Sequence, residues 1–302
     1  MFDQLSSSVN AILHRYPSDR ITDRGAASSV KSRLRAPITS TERAAAELVA
    51  RARPAPYRAY DQIPMRTDDL ARQAKLIAPL LAGRRVAFVG DMDGTASLLG
   101  LLAVADGPVP AGLLVLDFDD RVLETAQSLA ERHGFAHLLI ARRYNCFDPV
   151  PPDLLGCSDW FYVNPPYGSC NRGASARLFL TRGCELVQSQ GGSGCLILPD
   201  DVLRPWTRFA MIATQQFLHT HGWAIREKLD RLHRYHLDDD PDLSSSLVIV
   251  DRVVSGVGPS MPFAGRHVGM DEIPNFYGRN TTPPYPSCIS RNGVVIEAAS
   301  PL

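Results

Sequence analysis

The chain has 302 residues, 45% hydrophobic and 21% charged, and its 32 basic and 32 acidic side chains cancel to a formal net charge of zero. That composition suits an ordered protein with one large core, or a core with a small appendage, and excludes a disordered chain. No apolar run approaches the ~18 residues that span a bilayer, and residues 1–30 carry no apolar stretch of a secretory signal, so the expectation is a cytoplasmic protein without a membrane partner.

Residues 1–40 mix Ser, Arg and Gly with weak periodicity and read as a loosely ordered arm. "STERAAAELVARAR" (40–53) opens on a capping-box pattern, with Thr41 the expected N-cap of a helix. "RPAPYRAYDQIPM" (53–65) is a proline-punctuated linker, and 66–83 an amphipathic helix closed by Gly83. Strands and helices then alternate. Strands are expected at 84–91, 111–119, 136–145, 157–167 and 193–200, and helices at 95–105, 121–134, 176–192 and 204–222. The nearly all-apolar strands suit a buried parallel sheet. Segments 223–232 and 244–254 form a closing antiparallel pair, and 255–302, rich in Gly, Pro and Asn, is an irregular tail wrapping the surface. The organisation expected is an arm and helix over 1–60, a doubly wound α/β domain over 61–254, and the tail. Ligands of such a sheet bind at the carboxyl ends of its strands.

Charge is uneven along the chain. Residues 1–85 hold 15 Lys and Arg against 8 Asp and Glu, and the remainder 17 against 24. The first part would attract phosphate and the second a polycation, unless both are simply solvated faces. Cys146, Cys157, Cys170, Cys184, Cys195 and Cys288 include no CxxC pair, and the eight histidines no HExxH, so no metal is expected and the thiols read as small buried hydrophobes.

Three strand ends carry the chemistry. The first, "VGDMDGTAS", places Gly90 and Gly94 in a tight turn that lets a ligand approach the backbone. Asp91 and Asp93 there repel phosphate and suit a cation or hydroxyl groups; the alternative is an acidic helix N-terminus favoured by the helix dipole. The second, "VLDFDD", places Asp117, with Asp119 behind it, where such folds accept hydrogen bonds from ribose hydroxyls. The third, "NPPY", ends the fourth strand. The side-chain carbonyl of Asn164 and the backbone carbonyl of Pro165 can both accept N–H bonds from one amine, turning its lone pair toward an electrophilic carbon. Pro165 and Pro166 stiffen the loop, and Tyr167 supplies a flat face for a base, an amide or a cation. A second PPY at 283–285 reads as structural or a lid. "YHLDDDPDLSS" (235–245) is a solvated acidic turn or, through Asp238 and Asp239, a docking edge for ammonium groups.

Taken in order, these elements resemble the class I S-adenosylmethionine-dependent transferases, and more narrowly the branched-chain polyamine synthases. That family's Gly-Asp-Asp-Asp-Leu-Thr-Ser turn is matched by residues 90–97, its strand-two acid by Asp117, and its Asp-Pro-Pro-Tyr turn, glycine and Phe-Leu-x-Arg-Gly helix by Asn164–Tyr167, Gly173, Phe179, Leu180, Arg182 and Gly183. The resemblance covers roughly residues 60–200; the family's N-terminal winged-helix domain has no convincing counterpart. It implies a Rossmann-like class I methyltransferase sheet and transfer of an aminopropyl group from decarboxylated S-adenosylmethionine to a polyamine such as spermidine. Gly90, Asp91, Gly94 and Asp117 would then hold the donor, with Asn145 or Asp148 at its adenine amine; Asn164, Pro165, Tyr167, Asp91 and Asp93 would act on the acceptor. A homodimer is left open.

Three positions depart from the family pattern: Asn164 stands for its catalytic-loop Asp, Asn145 for the acid after strand three, and Met92 for the middle Asp of the first turn. An aliphatic amine with a pKa near ~10.4 must lose a proton before it attacks, at about 4 kcal/mol at pH 7, and Asn cannot accept that proton. Adenine amines and glutamine amides are already neutral, and NPPY is the form that N-methyltransferases use on them. Methyl transfer from S-adenosylmethionine to nucleic acid or a protein amide is therefore the alternative. A catalytically degenerate sensor of nucleosides or polyamines is a second one.

Overall fold

The computed structural model describes residues 30, 33–189, 191–238, 240–253 and 260–278 and two short strands, 286–289 and 295–297. The chain divides into a unit Met1–Pro37 and a unit Ile38–Leu302, and the sheet and its helices belong to the second.

That unit begins with helix α1 (Ser40–Ala52). Thr39, not Thr41, is the N-cap: its hydroxyl accepts from the Glu42 amide at 3.1 Å, while the Glu42 carboxylate accepts from the Thr39 amide at 2.7 Å. The box is reciprocal at spacing three, so Glu42 selects the threonine three residues before it. Helix α2 (Thr67–Leu81) comes next, with Gly83 just beyond it at φ +67°.

Strands and helices then alternate as β1 (Arg85–Val89), α3 (Thr95–Val104), β2 (Gly112–Asp117), α4 (Asp120–His133), β3 (Leu139–Arg143), β4 (Trp160–Val163), α5 (Ala174–Leu186), β5 (Ser193–Pro199) and α6 (Pro205–Thr220). The long strands β6 (Trp223–Arg234) and β7 (Ser244–Arg252) end the sheet, and β8 (Pro286–Ile289) pairs with β9 (Val295–Glu297) apart from it.

The seven strands lie in the order β3-β2-β1-β4-β5-β7-β6, with the first five parallel and β7 antiparallel to both neighbours. This is the expected doubly wound sheet with its antiparallel closing pair. Strand order reverses between β1 and β4, where a crevice opens at the carboxyl ends. The central strands are buried on both faces, as their all-apolar sequences require. Helix α3 is buried over most of its circumference and packs on α1, α2 and α4. Gly94, the α3 N-cap at φ +71°, lies so close to α1 that a Cβ there would come within 2.6 Å of the Val49 side chain. Among the described residues no helix is long and apolar enough to cross a membrane.

The segment 260–278 does more than wrap the surface. Val268, Ile273, Phe276 and Tyr277 are buried in the main core. The fully buried Arg182 of α5 holds the segment down, donating to the carbonyls of Phe263 at 2.9 Å and Arg266 at 2.8 Å, to that of Cys146 after β3 at 2.8 Å, and to Glu185 at 3.0 Å. Ser175 adds a bond to the Phe276 carbonyl at 2.6 Å. The guanidinium pairs with one acid and three carbonyls, which is how a buried cation is tolerated. The second PPY, at 283–285, lies outside the described residues.

Candidate active site

A cavity of about 280 Å³ opens where β1, β2 and β4 end, bounded by the turns after those strands, by residues 60–63 and by the β6–β7 connection. Each turn is built from its own sequence. Gly90, at φ +74°, releases the chain from β1, and a Cβ on it would sit 3.3 Å from the Phe179 ring. The chain then turns into α3, and both Asp91 oxygens face that helix, accepting from the amides of Thr95 at 2.8 Å and Ala96 at 3.0 Å. Burial holds the Asp91 carboxyl well above the usual range; the two amides oppose that shift, and Asp93 and Asp117 reinforce it. Asp91 thus ties down the helix N-terminus while forming part of the cavity wall.

Asp117 closes β2 and joins the two strand ends. Its carboxylate accepts from the amides of Asp91 at 3.0 Å and Asp119 at 2.9 Å, one on each oxygen. A lone pair per oxygen remains for a ligand, as a vicinal diol requires. Burial pushes this carboxyl up to about 7.

Asn164 stands opposite. Its Nδ2 donates to Asp93 Oδ2 at 2.7 Å. A carboxylate can only accept, so this bond sets the amide's orientation and leaves Oδ1 as an acceptor directed away from Asp93. Asp93 is itself buried and anchored through Oδ1 by the Met65 amide at 2.7 Å and by Arg53 at 3.3 Å. Pro165, Pro166 and Tyr167 continue the wall. The Tyr167 hydroxyl bonds to that of Tyr235, and the two rings meet edge to face at 6.1 Å between centroids. Burial raises the Tyr167 phenol, which stays un-ionised.

Gly90, Asp91, Asp93, Asp117, Asn164, Pro165 and Tyr167 all reach this one cavity. The remaining candidates lie elsewhere. Gly94 serves the α1 contact rather than the cavity wall. Asn145 and Asp148 do not line the cavity: Asn145 accepts from the Phe147 amide at 3.2 Å, and Asp148 meets His267 at 3.0 Å on the surface. Tyr144 and Cys146 take the wall after β3 instead: the chain turns at 145–148, closed by the Asp148 amide donating to the Asn145 carbonyl at 3.0 Å. Asp238 is exposed and outside the wall, and Asp239 lies outside the described residues. The acidic string reaches the cavity through Asp240, which is held by Arg204 (Nε to Oδ2, 2.8 Å), itself also bonded to Asp201.

Sequence reading missed the contribution of 53–65. Tyr60 packs edge to face on Tyr277 at 5.2 Å, and Gln62 binds Asp119 at 2.9 Å and the Tyr57 amide at 2.7 Å. Two tyrosines and a glutamine among prolines were the available signal that this stretch is a wall rather than a linker. Trp206 and Tyr235 complete an aromatic side. The wall thus carries five aspartates, 61, 91, 93, 117 and 240, and no Lys, Arg or His among the described residues.

The family profile described as the branched-chain polyamine synthase A C-terminal domain matches residues 43–251. No curated protein matches the chain. Among solved structures, the branched-chain polyamine synthase of Thermus thermophilus, crystallised with N4-aminopropylspermidine and 5'-methylthioadenosine, is 21% identical with a TM-score of 0.61, covering 74% of this chain and 67% of that one. Its C9 mutein, with the same two molecules, is 22% identical over the same shares at 0.62. A putative RNA methyltransferase from Pyrococcus horikoshii is 14% identical with a TM-score of 0.51, covering 72% of this chain and all of that one. These likenesses show a shared fold.

Proposed function

This chain belongs to the branched-chain polyamine synthase family, and on that premise we propose that it transfers an aminopropyl group from decarboxylated S-adenosylmethionine to a nitrogen of a polyamine such as spermidine. The observation that carries this reading is the sign of the cavity wall: five aspartates and no basic side chain among the described residues. A polyamine and a decarboxylated sulfonium donor are both polycations, which such a wall attracts. The carboxylate of intact S-adenosylmethionine would need a cation or unused N–H groups. The amides of Thr95 and Ala96 are taken by Asp91, and one N–H each of Gln62 and Asn164 by Asp119 and Asp93; among the described residues the wall offers no cation for it.

In this reading Asp117 accepts from the donor's ribose hydroxyls, and Gly90 lets the nucleoside lie against the backbone. Asn164 Oδ1 and the Pro165 carbonyl take the N–H groups of the acceptor amine and turn its lone pair toward the propyl carbon next to sulfur. The new N–C bond forms as the C–S bond breaks; sulfur keeps the electron pair and leaves as methylthioadenosine. The amine attacks as the neutral form, its proton given up to solvent because Asn164 cannot take it, and Asp93, one hydrogen bond behind Asn164, keeps a carboxylate close to the nitrogen that becomes cationic.

Asn164 also favours a second reading, methyl transfer to an already neutral adenine amine or glutamine amide. One assay separates the two. Methylthioadenosine formed from decarboxylated donor only when spermidine is present supports aminopropyl transfer. S-adenosylhomocysteine formed from S-adenosylmethionine with nucleic acid, without methylthioadenosine in the first arm, overturns it.

A further inference from the structure

Behind Tyr167 lies a row of buried polar groups that take no direct part in the transfer. The Tyr167 hydroxyl bonds to that of Tyr235, Tyr235 to Ser245 Oγ at 2.7 Å, and Ser245 Oγ to His233 Nδ1 at 3.0 Å. Tyr235 is 4% exposed, and Ser245 and His233 are wholly buried. His233 and Ser245 face each other across the β6–β7 ladder, just past an irregularity that begins at Leu229. The end of β6 is pinned in turn by a bridge between Tyr235 and Met65. His233 Nε2 has no hydrogen-bond partner among the described residues, so the row ends at this ring.

Three hydrogen bonds join four groups, and three hydroxyl hydrogens are available to fill them. Burial, helped by the charge of Arg72, pushes the His233 imidazole down to about 3, so the ring is neutral at working pH and one nitrogen keeps a lone pair. If that nitrogen is Nδ1, every hydroxyl donates inward. Tyr167 then has no hydrogen left for the cavity and offers only an oxygen lone pair. If Nδ1 carries the hydrogen, Ser245 Oγ accepts from it, the direction of the other two bonds is no longer compelled, and the Tyr167 hydrogen is free to turn toward the cavity. Only an unprotonated Nδ1 therefore compels all three hydroxyls to donate inward.

We propose that His233 is a positioning residue whose Nδ1 lone pair terminates a one-way hydrogen-bond row, Tyr167 to Tyr235 to Ser245 to His233, and so makes the Tyr167 oxygen an acceptor for an N–H of a neighbouring ammonium group of the bound polyamine. The role assigned to the amine rests on the aminopropyl-transfer reading; the direction of the row does not. With Asn164 Oδ1 and the Pro165 carbonyl, Tyr167 gives the acceptor side a third oxygen acceptor. Such a site selects an aliphatic amine rich in N–H over a base edge, which presents acceptors beside its donors.

The direction is read from the tautomer of His233 in substrate-free protein labelled with 15N-histidine, its signals identified by their absence in His233→Gln. The expected result is an unprotonated Nδ1 and a protonated Nε2; a protonated Nδ1 overturns the proposal. Kinetics supply the second arm. Tyr235→Phe is expected to raise the KM for spermidine about tenfold, the loss of one hydrogen bond to a charged group, with methylthioadenosine affinity unchanged. Ser245→Ala is expected to behave likewise, and Ser245→Thr, which keeps the hydroxyl, to stay near native. An unchanged spermidine KM in Tyr235→Phe, or an equal loss of methylthioadenosine binding, counts against the row as a device of the acceptor site. If the native chain makes no methylthioadenosine, the aminopropyl reading fails, and the tautomer still decides the direction of the row.

Discussion

Asp117 carries a pH dependence that binding can report. Burial lifts its carboxyl from 3.8 to about 7. A group raised in this way favours folding below its unfolded value, and that contribution is lost as pH climbs through about 7. Ligand binding is expected to run the other way, because in the proposed role the ionised form would accept from both ribose hydroxyls and the protonated form would give up one acceptor. Methylthioadenosine is therefore expected to bind more weakly as pH falls from about 8 to about 6. Asp117→Asn should bind about tenfold more weakly at the upper end and show a flat profile; titration calorimetry at several pH values checks both. Asn164 permits a complementary test. Asn164→Asp would set a second carboxylate against Asp93, where the amide now sits at 2.7 Å. Two carboxylates that close share a proton and titrate as a pair. The expected outcome is faster turnover with spermidine and a new ionisation in the kcat/KM profile above the ordinary carboxylate range. Complete loss of activity in that variant would instead assign a neutral amine as the substrate.

Helix α5 does more than cover the sheet. Through Arg182 it ties the turn after β3 to the segment 260–278, whose Tyr277 closes one side of the cavity. Arg182→Met would remove the cation and leave Glu185 and three carbonyls without this donor. A loss of roughly 3–5 kcal/mol is expected, as when one partner of a buried pair is deleted, measured by denaturant unfolding. Limited proteolysis should then cut within 260–278 before it cuts the sheet, since the strands keep their own ladders. The FLxRG pattern was visible in the sequence only as part of a family resemblance; what its arginine holds became apparent once both segments were in place.

Over the whole molecule the formal charge is zero, yet the cavity wall carries five aspartates and no basic side chain among the described residues. The attraction is local and partly screened where the cavity meets solvent. Raising salt from about 0.05 to about 0.5 M should increase the KM for spermidine severalfold with little change in kcat, as initial-rate measurements would show. A neutral ligand such as methylthioadenosine should respond much less.

What was legible in the sequence lies in short windows. Strand and helix alternation comes from hydrophobic period, and the turns at Gly90, Asp117 and Asn164 come from glycine, acid and proline chemistry at strand ends. These windows also specify the doubly wound sheet and bring all three turns to one edge of it. Partners far apart in the chain lay beyond such a reading: Asn164 with Asp93 at a separation of 71 residues, Tyr167 with Tyr235 at 68, Gln62 with Asp119 at 57. Asn145 and Asp148 illustrate the other limit, since chain position brought them near the cavity while side-chain direction gave its wall to Tyr144 and Cys146. The chain by itself determined the fold and the places where chemistry could occur. The tertiary structure decided which groups meet there, because the direction of a side chain and the partner that satisfies it depend on segments that come together only on folding.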